Sequence, residues 1–203
     1  MSDSQFYKQA KNRYMDPFTK KWTVKILPGE FFVCSPQEDM VVTTLGSCIS
    51  ACIWDKKLGL GGMNHFMLAS SELGAWGKDT VSSTRFGNFS MEFLINEILK
   101  NGGRKDNLRA KIFGGASMNT GGEKVGSANI AFAEQYLKTE HIPLLAQGTG
   151  GDLARKVYFE PTTGAVKVKV LENLTNNTIS RREKQYGKSL EQQQSVDDDV
   201  LLF

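Results

Sequence analysis

The sequence predicts a mixed α/β fold, and three observations predict it. From Trp22 to Leu68 the chain passes through short stretches of alternating apolar and polar residues, the period of strands. Residues 88–100 and 126–140 change to the three-and-four spacing of amphipathic helices. Further strand patterns at 108–113, 142–146, 156–159 and 165–171 fall between and after those helices.

In chain order, residues 1–21 are polar, basic and weakly periodic, and read as a flexible arm. Trp22-Thr-Val-Lys-Ile-Leu27 opens the ordered body as a strand, and residues 31–34 form the next one, bounded by Gly29 and Pro36. Residues 40–45 are rich in β-branched side chains and stop at Gly46-Ser47. Residues 48–54 and 61–68 form a hairpin about a turn at 55–59, and a loop is expected at 69–79. The helix at 88–100 has its stop signal in Asn101-Gly102-Gly103. Gly114-Gly115 reads as a tight turn and residues 148–151 as a glycine-rich loop. Pro161-Thr-Thr-Gly164 joins the last two strands. After Asn173 the apolar content collapses, so residues 175–203 read as a polar, disordered tail around a body at 22–174. The tail ends in Val200-Leu-Leu-Phe203, a plain terminus or a docking motif.

Composition narrows the function. The chain has 203 residues, 40% of them hydrophobic, enough to bury a core without a metal or disulfide staple. No apolar run approaches the roughly 18 residues of a membrane span, and the first residues lack a secretory apolar core. Three cysteines, an odd number, suit a reducing cytoplasm and free thiols. The net charge of +3 is carried by residues 1–25, with six Lys/Arg against two Asp/Glu, so the body offers no basic face for nucleic acid. With two histidines and no Cys-x-x-Cys, a thiolate–imidazole zinc site is hard to assemble. The glycine loops at 148–153 and 121–127 miss the dinucleotide and phosphate-loop patterns, and no Gly-x-Ser-x-Gly elbow is present. No cofactor is expected.

Cys48 and His65 are the sharpest pair. They lie on the two strands of the expected hairpin, and strand pairing can bring thiol and imidazole together. An imidazole within hydrogen-bond reach can take the thiol proton and create a nucleophile. Cys34 and Cys52 read as core residues and His141 as a helix-end residue.

The run Thr43-Thr-Leu-Gly-Ser-Cys-Ile-Ser-Ala-Cys-Ile-Trp-Asp55, followed by Gly61-Gly-Met-Asn-His-Phe-Met-Leu68, resembles the core of the CheD family of chemoreceptor glutamine deamidases. The resemblance continues through residues 110–118, 126–129 and 148–157, and spans about residues 25–172. It implies a layered α/β sandwich with mixed sheets, similar to toxin deamidases. It also implies a cytoplasmic hydrolase that converts specific glutamines of methyl-accepting chemotaxis receptors to glutamate and ammonia. Carried onto this sequence, it makes Cys48 the nucleophile, His65 the base and Thr43 the third member. Strand parity would instead put Thr44 on the face of Cys48, unless Gly46 breaks the alternation. Backbone N–H groups near Cys48 or at Gly114-Gly115 are the expected oxyanion donors. The implied partners are the receptor cytoplasmic domain and a CheC-type phosphatase, with no direct membrane insertion. The alternatives are a non-catalytic module that binds receptor or CheC, and another cysteine amidohydrolase of transglutaminase or peptidase type. The basic arm is expected to lie along an acidic receptor helix.

Overall fold

The structure, a computed structural model, describes residues 8–34, 40–68, 85–117, 122–172 and 178–198. The expected loop at 69–79 and the terminal 200–203 lie outside these residues, as does the start of the arm.

Two mixed sheets form the sandwich. The first runs β1 (Lys8–Gln9), β4 (Glu30–Val33), β7 (Leu60–Asn64), β6 (Ile49–Asp55), β8 (Leu108–Gly114), β9 (Leu144–Thr149). The second runs β11 (Ala165–Val170), β10 (Arg155–Glu160), β5 (Met40–Leu45), β3 (Trp22–Lys25), β2 (Asn12–Met15). Helices α1 (Arg85–Lys100) and α2 (Gly122–Thr139) cover the outer face of the first sheet. There Met91, Leu94, Ile98, Ala133 and Leu137 share a core with Ile49, Ala51 and Ile53. A second core lies between the sheets and joins Cys48, Cys52 and Trp54 to Val41, Leu45, Val157 and Phe159. β6 therefore has protein on both faces, and all seven of its residues are buried. That sandwiching is why an apolar, β-branched stretch is stable there. No helix among the described residues is long and apolar enough to cross a membrane.

The arrangement agrees with the expected α/β sandwich, with three differences in detail. The arm is structured from Lys8: β1 pairs parallel with β4, and β2 pairs antiparallel with β3. Both are edge strands, held by main-chain bonds that need no apolar side-chain pattern. The turn between β2 and β3 is built on Asp16, whose Oδ1 accepts from the N–H groups of Phe18 and Thr19 at 3.0 and 2.9 Å. Arg13 stacks over Trp22 at 4.6 Å, and Lys21 pairs with Glu160, so two arm charges have partners inside this chain.

The second difference is at the C-terminus. Where the composition suggests disorder, helix α3 (Thr178–Asp198) forms. Tyr186 and Leu190 pack against the cores, and a Cβ at Gly187 would lie 3.0 Å from the Met67 methyl.

The third difference concerns β7, which ends at Asn64 rather than running on to Leu68. Asn64 Oδ1 accepts the Ala51 N–H at 2.8 Å, so a side chain replaces the main-chain partner there and interrupts the ladder. Pairing resumes at an isolated bridge, Ile49 with Phe66. His65 stands in the gap.

Candidate active site

The Ile49–Phe66 bridge carries both of its N–H···O bonds, at 2.9 and 3.0 Å. Cys48 and His65 each lie one residue from that bridge, on the same side of the hairpin, as the sequence pairing suggests. Both are buried, Cys48 fully and His65 at 1% exposure. The His65 main chain is tied to the neighbouring turn. Its N–H donates to the Glu30 carbonyl at 2.9 Å, and its carbonyl accepts from the Gly29 N–H at 2.8 Å.

Thr43, not Thr44, meets the ring. Thr43 Oγ1 lies 2.8 Å from His65 Nδ1 and 2.9 Å from the Ile26 carbonyl oxygen. A carbonyl can only accept, so the single hydroxyl proton goes to Ile26. Nδ1 must then carry the proton shared with Thr43, and Nε2 keeps its lone pair. The Ile26 carbonyl thus sets the tautomer through Thr43, the part a carboxylate plays in the serine-protease triad. The bend at Gly46-Ser47 separates β5 from β6, so alternation is not carried from Thr44 to Cys48. Thr44 lines a small crevice beside His65, together with Ile179 and Arg182 of α3.

His65 Nε2 is buried and has no hydrogen-bond partner among the described residues. Burial pulls the imidazole down to about 3. The Cys48 thiol is pushed well above its usual range by burial first. The charge of Glu183 and the thiol's hydrogen bond to that carboxylate raise it further. Thiol and imidazole therefore rest as a neutral pair.

Glu183, on α3, is a site residue that sequence reasoning misses. It is only 4% exposed. Its Oε1 accepts from the Gly46 N–H at 2.8 Å and the Cys48 N–H at 3.3 Å. Its Oε2 accepts from the Ser47 N–H and the Ser47 hydroxyl, both at 2.8 Å. Successive backbone amides turned one way make a concave anion-binding cradle. No local pattern marks Glu183, because its donors lie about 136 residues earlier in the chain.

The carbonyls of the same tripeptide are fixed on the other side. Gly46 O accepts from Ala116 N–H at 2.7 Å and Cys48 O from Gly115 N–H at 2.8 Å. Ser47 O accepts from Asn129 Nδ2 at 2.9 Å, while Asn129 Oδ1 accepts the Leu68 N–H at 2.8 Å. The Gly115 N–H, one of the expected oxyanion donors, is therefore committed to Cys48 O instead. Gly114 must be glycine, since with φ of +113° a Cβ there would lie 2.1 Å from Cys48 O. The glycine-rich loop braces this turn in its own right. Gly150 N–H donates to Gly114 O at 2.9 Å, Ser117 N–H donates to Gly151 O at 2.7 Å, and Arg155 clamps the Gly148 and Gly150 carbonyls. The separated motifs thus surround Cys48 in successive shells of support.

The other thiols and the second histidine stand apart. Cys34 and Cys52 are buried thiols outside any disulfide, and burial raises the Cys52 thiol. His141 is exposed at the end of α2 with φ of 55°.

A family model described as "CheD chemotactic sensory transduction" matches residues 67–170. A protein of Halorhodospira halophila, "Probable chemoreceptor glutamine deamidase CheD", is 46% identical over 195 residues, covering 95% of this chain and 89% of that protein. The chain belongs to the CheD family. Further CheD proteins agree: one from Methylobacillus flagellatus is 44% identical, covering 96% of each chain, and one from Herminiimonas arsenicoxydans is 43% identical, covering 98% of this chain and 99% of its own. Both carry the same description, "Probable chemoreceptor glutamine deamidase CheD".

As a donor set, this CheD site is ambiguous at first sight. Cys48 Sγ, a His65 ring nitrogen and a Glu183 oxygen lie within 4.8 Å of one another, and zinc accepts all three ligand types. The Glu183 oxygens, however, already accept from three backbone N–H groups and the Ser47 hydroxyl, besides the Cys48 thiol. The arrangement is that of a carboxylate bound by amides, next to a thiol and a free imidazole nitrogen.

Proposed function

We propose that this CheD protein hydrolyses the side-chain amide of specific glutamines on chemoreceptors, giving glutamate and ammonia, with Cys48 as nucleophile, His65 as acid–base and Thr43 as the residue that orients the ring. The observation that carries the reading is the unpartnered Nε2 of His65 beside the Cys48 thiol, with Nδ1 committed to Thr43. The names of the relatives support the substrate class.

The mechanism uses these groups in turn. Nε2 takes the thiol proton as sulfur attacks the amide carbon, so no buried ion pair need exist beforehand. The negative charge that develops on the amide oxygen is met by the N–H groups of residues 46–48, once the substrate has replaced Glu183. The imidazolium returns its proton to the departing nitrogen, which leaves as ammonia. A water then gives a proton to Nε2 and attacks the thioester, and the sulfur leaves as the thiol when the proton is handed back. The sum is amide plus water to carboxylic acid plus ammonia. Receptor glutamines lie in the cytoplasmic part of the receptor on this reading, so the enzyme works in the cytoplasm.

The test is direct. A receptor cytoplasmic fragment is incubated with the wild type and with Cys48→Ala, and glutamine-to-glutamate conversion is read by peptide mass spectrometry. Conversion by the wild type alone is expected. Binding of the fragment without conversion by either protein would overturn the reading in favour of a non-catalytic module.

A further inference from the structure

We propose that α3 is a built-in product analogue: Glu183 holds its carboxylate where the glutamate product of a helical substrate binds, so α3 and the substrate helix compete for one groove. The inference rests on the amidohydrolase reading above.

Four observations lead to it. The face of α3 turned to the body carries Ile179, Glu183, Tyr186, Gly187 and Leu190, the spacing of one helical stripe. Glu183 is the one charged residue in that stripe, and a buried charge persists only when it is well hydrogen-bonded. Its donors are the backbone N–H groups of Gly46, Ser47 and Cys48, with the Ser47 hydroxyl. These are the amides best placed to receive the oxygen of an amide under attack by Cys48.

The cradle does not depend on α3 for its shape. The carbonyls of residues 46–48 are anchored by Ala116, Asn129 and Gly115, none of which belongs to α3. Withdrawal of α3 would leave inward-facing N–H groups without acceptors, which is costly unless another acceptor arrives. A glutamine differs from Glu183 by one NH2 in place of one oxygen. Presented on a helix along the same groove, it can set its carbonyl oxygen in the cradle and its amide carbon beside Cys48 Sγ. The ligand class is therefore an amphipathic helix bearing glutamine, or glutamate after reaction, on its apolar face.

Glu183→Gln turns the analogue into a substrate in cis. Cys48 Sγ bonds to the carbon of the side-chain amide introduced at position 183, ammonia leaves, and water cleaves the thioester to restore glutamate there. The experiment is performed on the full chain. Peptide mass spectrometry of Glu183→Gln is compared with that of Glu183→Gln combined with Cys48→Ala, alongside a receptor fragment in the same tube. Glutamate at position 183 in the single variant only, formed at a rate independent of protein concentration, is the expected result. Receptor conversion with the amide at position 183 left intact overturns the inference while leaving the deamidase reading in place, and conversion of neither overturns both. A rate at position 183 proportional to protein concentration also overturns it, since the helix would then be reaching a second molecule.

A second variant, shown folded by its circular dichroism spectrum, reads the competition from the side of the substrate. Glu183→Ala is expected to lower KM for the receptor fragment about tenfold with kcat unchanged, because the competitor is weakened. A fall in kcat at constant KM would instead make Glu183 part of the reacting machinery and end the proposal.

Discussion

The tripeptide Gly46-Ser47-Cys48 has two sides, and they are held differently. Its carbonyls are gripped by the Gly115–Ala116 turn and by Asn129, which follow β8 and lie on α2 and are braced in turn by the glycine-rich loop. Its N–H groups are met by one side chain, Glu183, carried on a helix near the chain's end. One side is fixed by parts of the body that cannot leave without unfolding it. On the proposal above, the other is filled by a carboxylate that a competitor of like chemistry replaces. On that proposal the site keeps its shape when the occupant changes, which is what preorganisation requires.

Removing the proposed nucleophile has the largest expected effect and leaves both sides intact. Cys48→Ala is expected to lower turnover of a receptor fragment at least a thousandfold, with a circular dichroism spectrum like that of the wild type. Residual activity within tenfold of wild type would break the assignment.

The next effect separates the two sides. Asn129→Leu strips the anchor from Ser47 O and orphans the Leu68 N–H, and should cost about 1–3 kcal/mol in urea unfolding. It should also cut kcat roughly tenfold or more as the cradle loosens. Its sign on kcat/KM is opposite to that expected for Glu183→Ala. If both variants moved kcat/KM the same way, the contrast between the fixed and the replaceable side would be lost.

Thr43→Val removes the hydroxyl that links Nδ1 to the Ile26 carbonyl, and about a tenfold to hundredfold loss of kcat is expected. Thr43→Ser should recover most of it, and Thr44→Val should change kcat by less than threefold, since Thr44 is half-buried and does not meet the ring. Equal losses at 43 and 44 would argue that the crevice, not the tautomer, is what matters.

A further effect is on stability against pH. His65 is neutral in the folded protein with its pKa lowered to about 3, whereas the unfolded chain titrates near 6.5. Between those values the unfolded state binds the extra proton, so stability is full above about pH 6.5 and falls as the pH is lowered towards 3. Urea unfolding at pH 7 and pH 5 should show His65→Gln losing about 2 kcal/mol less than the wild type over that interval. Parallel behaviour of the two proteins would mean that His65 is solvated.

Most of the fold, and the part of the site carried by β5 to β7, is legible in the sequence because it is local. β-branched residues mark Met40–Leu45, alternation marks the strand at Ile49–Asp55, and a turn joins it to Leu60–Asn64, so Cys48 and His65 can be placed across one hairpin. The choice between Thr43 and Thr44 is not local, because the bend at Gly46-Ser47 separates them from Cys48 and resets the parity. Asn129 lies inside a recognisable motif, yet nothing in helical periodicity says that its amide reaches Ser47 O. Helix α3 is missed because its buried stripe contains a carboxylate and a glycine, which lower the apparent amphipathicity of the segment. The acceptor demand that makes Glu183 tolerable exists only once residues 46–48 are folded.

The N-terminal segment has a consequence of another kind. Lys8–Gln9 closes the outer edge of one sheet against β4, and Asn12–Met15 closes an edge of the other against β3. Two short strands thus seal a border of each layer. Trimming the chain to its catalytic motifs would uncover two rows of unpaired amides and carbonyls, and such borders recruit strands from neighbouring molecules. Shortened preparations should self-associate, and a purification tag is better placed where it cannot pull those first strands away.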